Sequence, residues 1–161
     1  MSGQIKQTGS LKRIAPLIAA VRIEDIRLVE ANVKTSLRSP DEAGKVKLAI
    51  DKSAIVKEHA AGDGIFWVLA KIIAQVIPVE SEKSPVVSIK AAFELRYSLP
   101  KELKVSHAQL NTFARINSVF NAWPYWREFV QSMVARMNLP TLTLPVFRLE
   151  DSIKPKKKKS A

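Results

Sequence analysis

Hydrophobic and polar positions alternate along several stretches of this chain, then give way to a three- and four-residue recurrence. In KVKLAIDKSAIV, Val46, Leu48 and Ile50 fall on one face and Lys45, Lys47 and Asp51 on the other, the period-two pattern of a strand covered on one side. PVVSIKAAFELRYSLP repeats the pattern, setting Val87, Ile89, Ala91, Phe93, Leu95 and Tyr97 against Ser88, Lys90, Glu94 and Arg96. GIFWVLAKIIAQVIP is apolar in both phases, with Ile65, Trp67, Leu69 and Ile73 opposed to Phe66, Val68, Ile72 and Val76. It is expected to be a central strand covered on both faces. In VRIEDIRLVEANVKTSL the apolar phase changes: Ile26 and Leu28 give way to Val29, Ala31 and Val33. A bulge or bend near Leu28 accounts for the switch. Polar turns and short connections between these four strands predict an antiparallel meander.

From Ser106 the period is helical. Ser106 and Gln109 form a capping-box pair, and Leu110, Phe113, Ile116, Phe120 and Trp123 recur at helical spacing, as do Val130, Val134 and Met137. Pro124 lacks a backbone donor, so it either kinks one long helix after Phe120 or opens a second helix near Trp123. Asn138 suits a left-handed C-terminal position, and Pro140 prevents continuation. Strands first and helix afterwards predict an α+β domain, a four-stranded antiparallel sheet with the helix on one face. The helix is apolar around most of its circumference and needs more than one partner surface, which points to oligomerisation or to apolar ligands.

Composition narrows the function. The chain has 161 residues and no cysteine, so neither disulfides nor thiolate metal sites contribute. The net charge of +11 suggests nucleic acid until it is divided along the chain. Lys6, Lys12 and Arg13, with the five lysines of residues 152–161, supply eight of the eleven charges. Residues 1–20 therefore read as a flexible basic segment leading into a first β element, 21–149 as the folded domain, and 150–161 as a disordered Lys-rich tail. LKRIAPLIAAV has the outline of a secretory signal, but Pro16 and the missing small-residue cleavage site argue against one, so a cytoplasmic location is expected.

NAWPYWREFVQSMVARMNLPTLTLP, with Pro124, Tyr125, Arg127, Glu128, Arg136, Pro140, Leu142 and Leu144 in order, resembles the main helix and following segment of the SecB family of protein-export chaperones. KVKLAID is similar to that family's second strand. The resemblance spans about residues 21–149. It implies a four-stranded antiparallel sheet under a long helix, a homo-tetramer built as a dimer of dimers, and ATP-independent binding of unfolded or precursor polypeptides. It also implies delivery of exported precursors to the SecA motor, for which Asp25 falls at a contact position. Three departures stand out. The family's C-terminal helix has no counterpart after PVFRL, and the aromatic of the first inter-strand loop is absent from RSPDEAG. Typical members are also acidic, whereas here Val29 occupies the place of a second carboxylate on the face of Asp25, and Glu30 points away by simple alternation unless a bulge intervenes. The charge balance therefore weighs against SecA docking. Some divergent SecB-like proteins chaperone an antitoxin, so a single dedicated client is the alternative reading.

Phe66, Trp67, Tyr125, Trp126 and Phe129 are the candidate groove residues for client side chains, and Phe120, Trp123, Val130 and Met133 the candidate core or subunit-interface residues. Arg127 and Glu128 form a structural ion pair or flank a groove mouth. No enzyme constellation, cofactor motif or metal-ligand spacing emerges: His59 and His107 stand far apart with no nucleophile pattern near either, and the five glycines are scattered. A nucleic-acid module rests on the tails alone, because residues 64–77 interleave their aromatics with Lys71 only.

Overall fold

The computed structural model describes residues 2–60, 63–80 and 84–148, excepting the side chains of 2–10 and of Ala60. The expected tail at 150–161 lies outside the described residues. In chain order the elements are helix α1 (Ser2–Ala20), strand β1 (Arg22–Thr35), a short 3-10 turn (Pro40–Ala43), strands β2 (Val46–Ala60), β3 (Ile65–Pro78) and β4 (Val87–Ser98), helix α2 (His107–Phe113), a π-helical turn (Ala114–Ser118) and helix α3 (Val119–Arg136). The fold is α+β, with one four-stranded antiparallel sheet and the long helical segment packed on one face.

The strand order is β1-β4-β3-β2. Consecutive pairing holds for β2, β3 and β4, but β1 joins the far side of β4 instead of β2, which corrects the simple meander. Three strand spacings, roughly 14 Å, separate β1 from β2. The ten residues 36–45 between them bridge that gap with ease, at up to about 3.3 Å per extended residue. Backbone bonds tie the crossing chain to the sheet end, from Ser36 N–H to the Val86 carbonyl (2.9 Å) and from Val79 N–H to the Lys45 carbonyl (2.8 Å).

One face of the sheet is the core. Phe66, Val68, Ala70 and Ile72 of β3 and Ile89, Phe93, Leu95 and Tyr97 of β4 are buried beneath Leu110, Phe113, Trp126 and Val130. Tyr97 stacks on Phe66 with ring centroids 5.0 Å apart, and Phe113 meets both rings edge-on. The other face of β3 is half-buried at Ile65, Trp67, Leu69 and Ile73 and exposed at Lys71. The expected second covering layer is not supplied by the described residues. The β1 bulge falls where the apolar phase changes, with register shifts at Ile23/Asp25 and Leu28/Glu30.

Three further features are decided by the structure. The N-terminal segment, expected as flexible and leading to a β element, is a helix. Ile14, Leu17, Ile18 and Val21 recur at helical spacing, and Ile14 and Leu17 are buried where α1 packs against α2. Pro124 lies inside α3, so it does not open a second helix near Trp123, and a π turn ends six residues before it. Glu30, finally, pairs opposite Ala92 after the bulge and shares the outer face with Asp25, which pairs opposite Arg96. The extra residue, Val29, restores the phase that simple alternation denies.

The capping box at Ser106 and Gln109 is formed, each side chain bonding the other residue's backbone N–H. At the far end Asn138 takes a left-handed conformation with φ 55°, and Leu139 N–H closes on the Val134 carbonyl at 3.2 Å. The chain then runs back along α3 without regular structure as far as residue 148.

Candidate functional site

Register decides where apolar surface is left open. On the helix-facing side of β1, Ile23 stands opposite Tyr97, Ile26 opposite Leu95 and Leu28 opposite Phe93. The β4 partners are covered by the helices, but the cover stops short of β1: Tyr97 is 1% exposed and Ile23 44%. The returning segment is fixed across α3 by a hydrogen bond from Trp123 Nε1 to the Pro145 carbonyl (3.0 Å) and by the Phe147 ring 4.9 Å from that of Trp123. Between β1, α3 and this segment lies a groove of about 480 Å³. Its apolar lining includes Ile23, Ile26, Phe120, Tyr125, Val146 and Phe147. Phe120 and Tyr125 are exposed at its wall, and Val146 at its rim is 70% exposed.

The polar groups of the groove are few. Asn121 donates from Nδ2 to the Tyr97 hydroxyl (3.0 Å), and the buried Ser118, about one helical turn before Asn121, also acts on that hydroxyl. Burial pushes the Tyr97 phenol pKa up, and the two polar neighbours oppose that shift. Arg127 is the charged residue of the lining; its Nε is buried without a hydrogen-bond partner among the described residues. Lys52 lies beyond the wall with its ammonium 4.7 Å from the centre of the Phe147 ring. Among the described residues, no acidic side chain lines the groove.

The structure divides the candidate groove residues. Tyr125 lines the groove. Trp67 is half-buried on the opposite sheet face, with the Arg96 guanidinium 5.9 Å from its ring centre. Phe66 and Trp126 are fully buried and belong to the core of the protomer, because the phase of β3 that holds Phe66 is the one facing the helices. Phe129 packs half-buried against Trp126, with ring centroids 6.2 Å apart. Of the candidate core or interface residues, Trp123 and Val130 are buried, Met133 is half-buried, and Phe120 opens onto the groove. Asp25 is exposed on the outer sheet face, as are Arg22, Arg27, Lys71, Lys90 and Arg96. Arg27 pairs there with Glu94. Arg127 and Glu128 form no ion pair among the described residues. Ile23, Ile26, Val146 and Phe147 were absent from the sequence-based candidates, since only the strand order and the returning segment bring them together.

A solved structure of a SecB-like chaperone from Mycobacterium tuberculosis, in complex with a ChAD peptide from the HigA1 antitoxin, superposes with a TM-score of 0.72 at 24% sequence identity. The match covers 83% of this chain and 95% of that one. The fold is SecB-like. A protein of unknown function from Streptococcus agalactiae matches at a TM-score of 0.46 and 12% identity, over 78% of this chain and 96% of that one. No family model matches the chain, and no curated protein matches it in sequence. Within the SecB-like fold, the groove is built from the first strand, the main helix and the extended segment that follows it.

Proposed function

We propose that this chain is an ATP-independent holdase chaperone that binds unfolded or precursor polypeptides in the groove beside β1. The observation carrying this reading is that Ile23, Phe120, Tyr125 and Val146 are all exposed around one concavity. Apolar side chains gathered this way favour an apolar partner over water. Strand β1 is also a sheet edge fourteen residues long, with one side of its backbone unpaired. A client strand added there would gain sequence-independent hydrogen bonds and send alternate side chains toward the helix side, into the groove. The SecB-like fold supports the same reading, as does the polypeptide ligand of the mycobacterial neighbour. That neighbour's antitoxin peptide favours a second version, in which the groove serves a single dedicated client.

The same apolar margin is available for assembly, and a homo-tetramer built as a dimer of dimers is part of the proposal. Several grooves on one oligomer would give avidity for long unfolded chains over short peptides. SecA docking is left out. Although Glu30 joins Asp25 on the outer face, the arginines and lysines around them oppose a basic partner. The test is suppression of aggregation of a denatured polypeptide without nucleotide, by the full chain and by the chain lacking residues 152–161. Suppression by both supports a groove-based holdase, whereas loss on truncation together with steep salt dependence transfers the activity to the tail. Suppression of one client alone selects the dedicated version.

A further inference from the structure

The groove is hydrophobic in lining but not neutral. Arg127, one turn along α3 from Trp123, brings a guanidinium that no carboxylate among the described residues pairs, and its Nε is sealed from solvent without an acceptor. A guanidinium stays protonated at any physiological pH, so burial cannot relieve the cost by neutralisation. A partly buried cation left without a counter-ion is unfavourable, and a partner that brings one removes the penalty. Among the described residues, no acid lines the groove beside Arg127.

We propose, resting on the holdase reading of this groove, that its preferred occupant is a polypeptide segment carrying a carboxylate among apolar residues, with Arg127 as the specificity-determining residue. The aliphatic and aromatic side chains of the client meet Ile23, Phe120 and Val146. Its Asp or Glu side chain accepts from the terminal nitrogens of Arg127 in the two-pronged geometry that guanidinium and carboxylate share. An amide in the same place accepts one weaker bond, and a lysine there meets a like charge. The groove therefore discriminates among unfolded chains by charge as well as by hydrophobicity.

The test uses three synthetic nine-residue peptides with identical apolar flanks and label, differing in a central Glu, Gln or Lys, titrated into the full chain by fluorescence anisotropy. The Glu peptide is expected to bind about tenfold more tightly than the Gln peptide, the scale of one charge-assisted hydrogen bond, and the Lys peptide least. Arg127→Met keeps the aliphatic stem and brings the Glu and Gln affinities together; Arg127→Lys keeps the charge without the fork and retains a reduced preference. Circular dichroism establishes that both variants are folded. Equal Glu and Gln affinities on the unmodified chain, or a Glu preference that survives Arg127→Met, would overturn the proposal while leaving the groove a general apolar site. Failure of all three peptides to bind would overturn the proposal, and the groove reading falls with it if suppression of aggregation is absent as well.

Discussion

Leu28 and Phe93 stand directly opposite one another on adjacent strands and point to the same side of the sheet, yet Phe93 is 4% exposed and Leu28 46%. The helices cover β4 and leave β1 open. If that uncovered margin is a binding surface, Leu28→Asp lowers affinity for unfolded clients several-fold with little cost to protomer stability, because exposed apolar side chains contribute little to folding. Anisotropy titration and denaturant melts, run on the same preparation, separate the two effects.

Trp126 is a residue of the opposite kind. It is fully buried, so Trp126→Ala removes roughly 150–250 Å² of apolar contact and leaves a cavity. A loss of about 3–5 kcal/mol in urea unfolding is expected. A loss below about 1 kcal/mol, with weakened client binding, would return Trp126 to the groove.

Trp123→Phe tests the returning segment. The substitution keeps an aromatic ring but removes the Nε1 donor to the Pro145 carbonyl. A destabilisation of about 1 kcal/mol is expected, with faster amide exchange over residues 144–148 because the groove wall loses its tie to α3.

Tyr97 sets an alkaline limit. Burial raises its pKa, so the unfolded chain releases the phenol proton at a lower pH than the folded one. Its contribution to stability is thus intact below the ordinary phenol value of about 10 and is lost as pH rises through the folded value. Tyr97→Phe forfeits the bond from Asn121 at neutral pH, about 1 kcal/mol, and flattens the fall in stability above pH 10. Paired denaturant melts at neutral and alkaline pH read both effects.

The sequence exposes local rules well and long-range pairing poorly. The bulge after Leu28 shows as a change of apolar phase, the capping box as Ser106 and Gln109, and the helix end as Asn138 before Pro140. Each of these is written within a few neighbouring residues. Strand order is not, since a ten-residue connection reaches β4's far side as readily as it reaches a neighbour, and that order decides that Ile23 and Leu28 are left uncovered. Phe66 and Trp67 illustrate the same limit: β3 is apolar in both phases, and only the placement of the helices makes one phase core and the other half-exposed. Residues 2–20 carry helical spacing at Ile14, Leu17 and Ile18, but Pro16 and the basic residues draw attention from it. The groove combines a strand near the start of the chain with a helix and a segment near its other end, so its far wall at Val146 and Phe147 has no local signature.

The central claim, that unfolded polypeptide is held between β1 and α3, is tested most directly by photo-crosslinking from Val146 on the groove rim and from Val79, which is exposed outside the groove. With a photoreactive residue at either position and a denatured client added without nucleotide, the account predicts strong client adducts from 146 and few from 79. Equal yields from the two positions, or adducts from 79 alone, would contradict it.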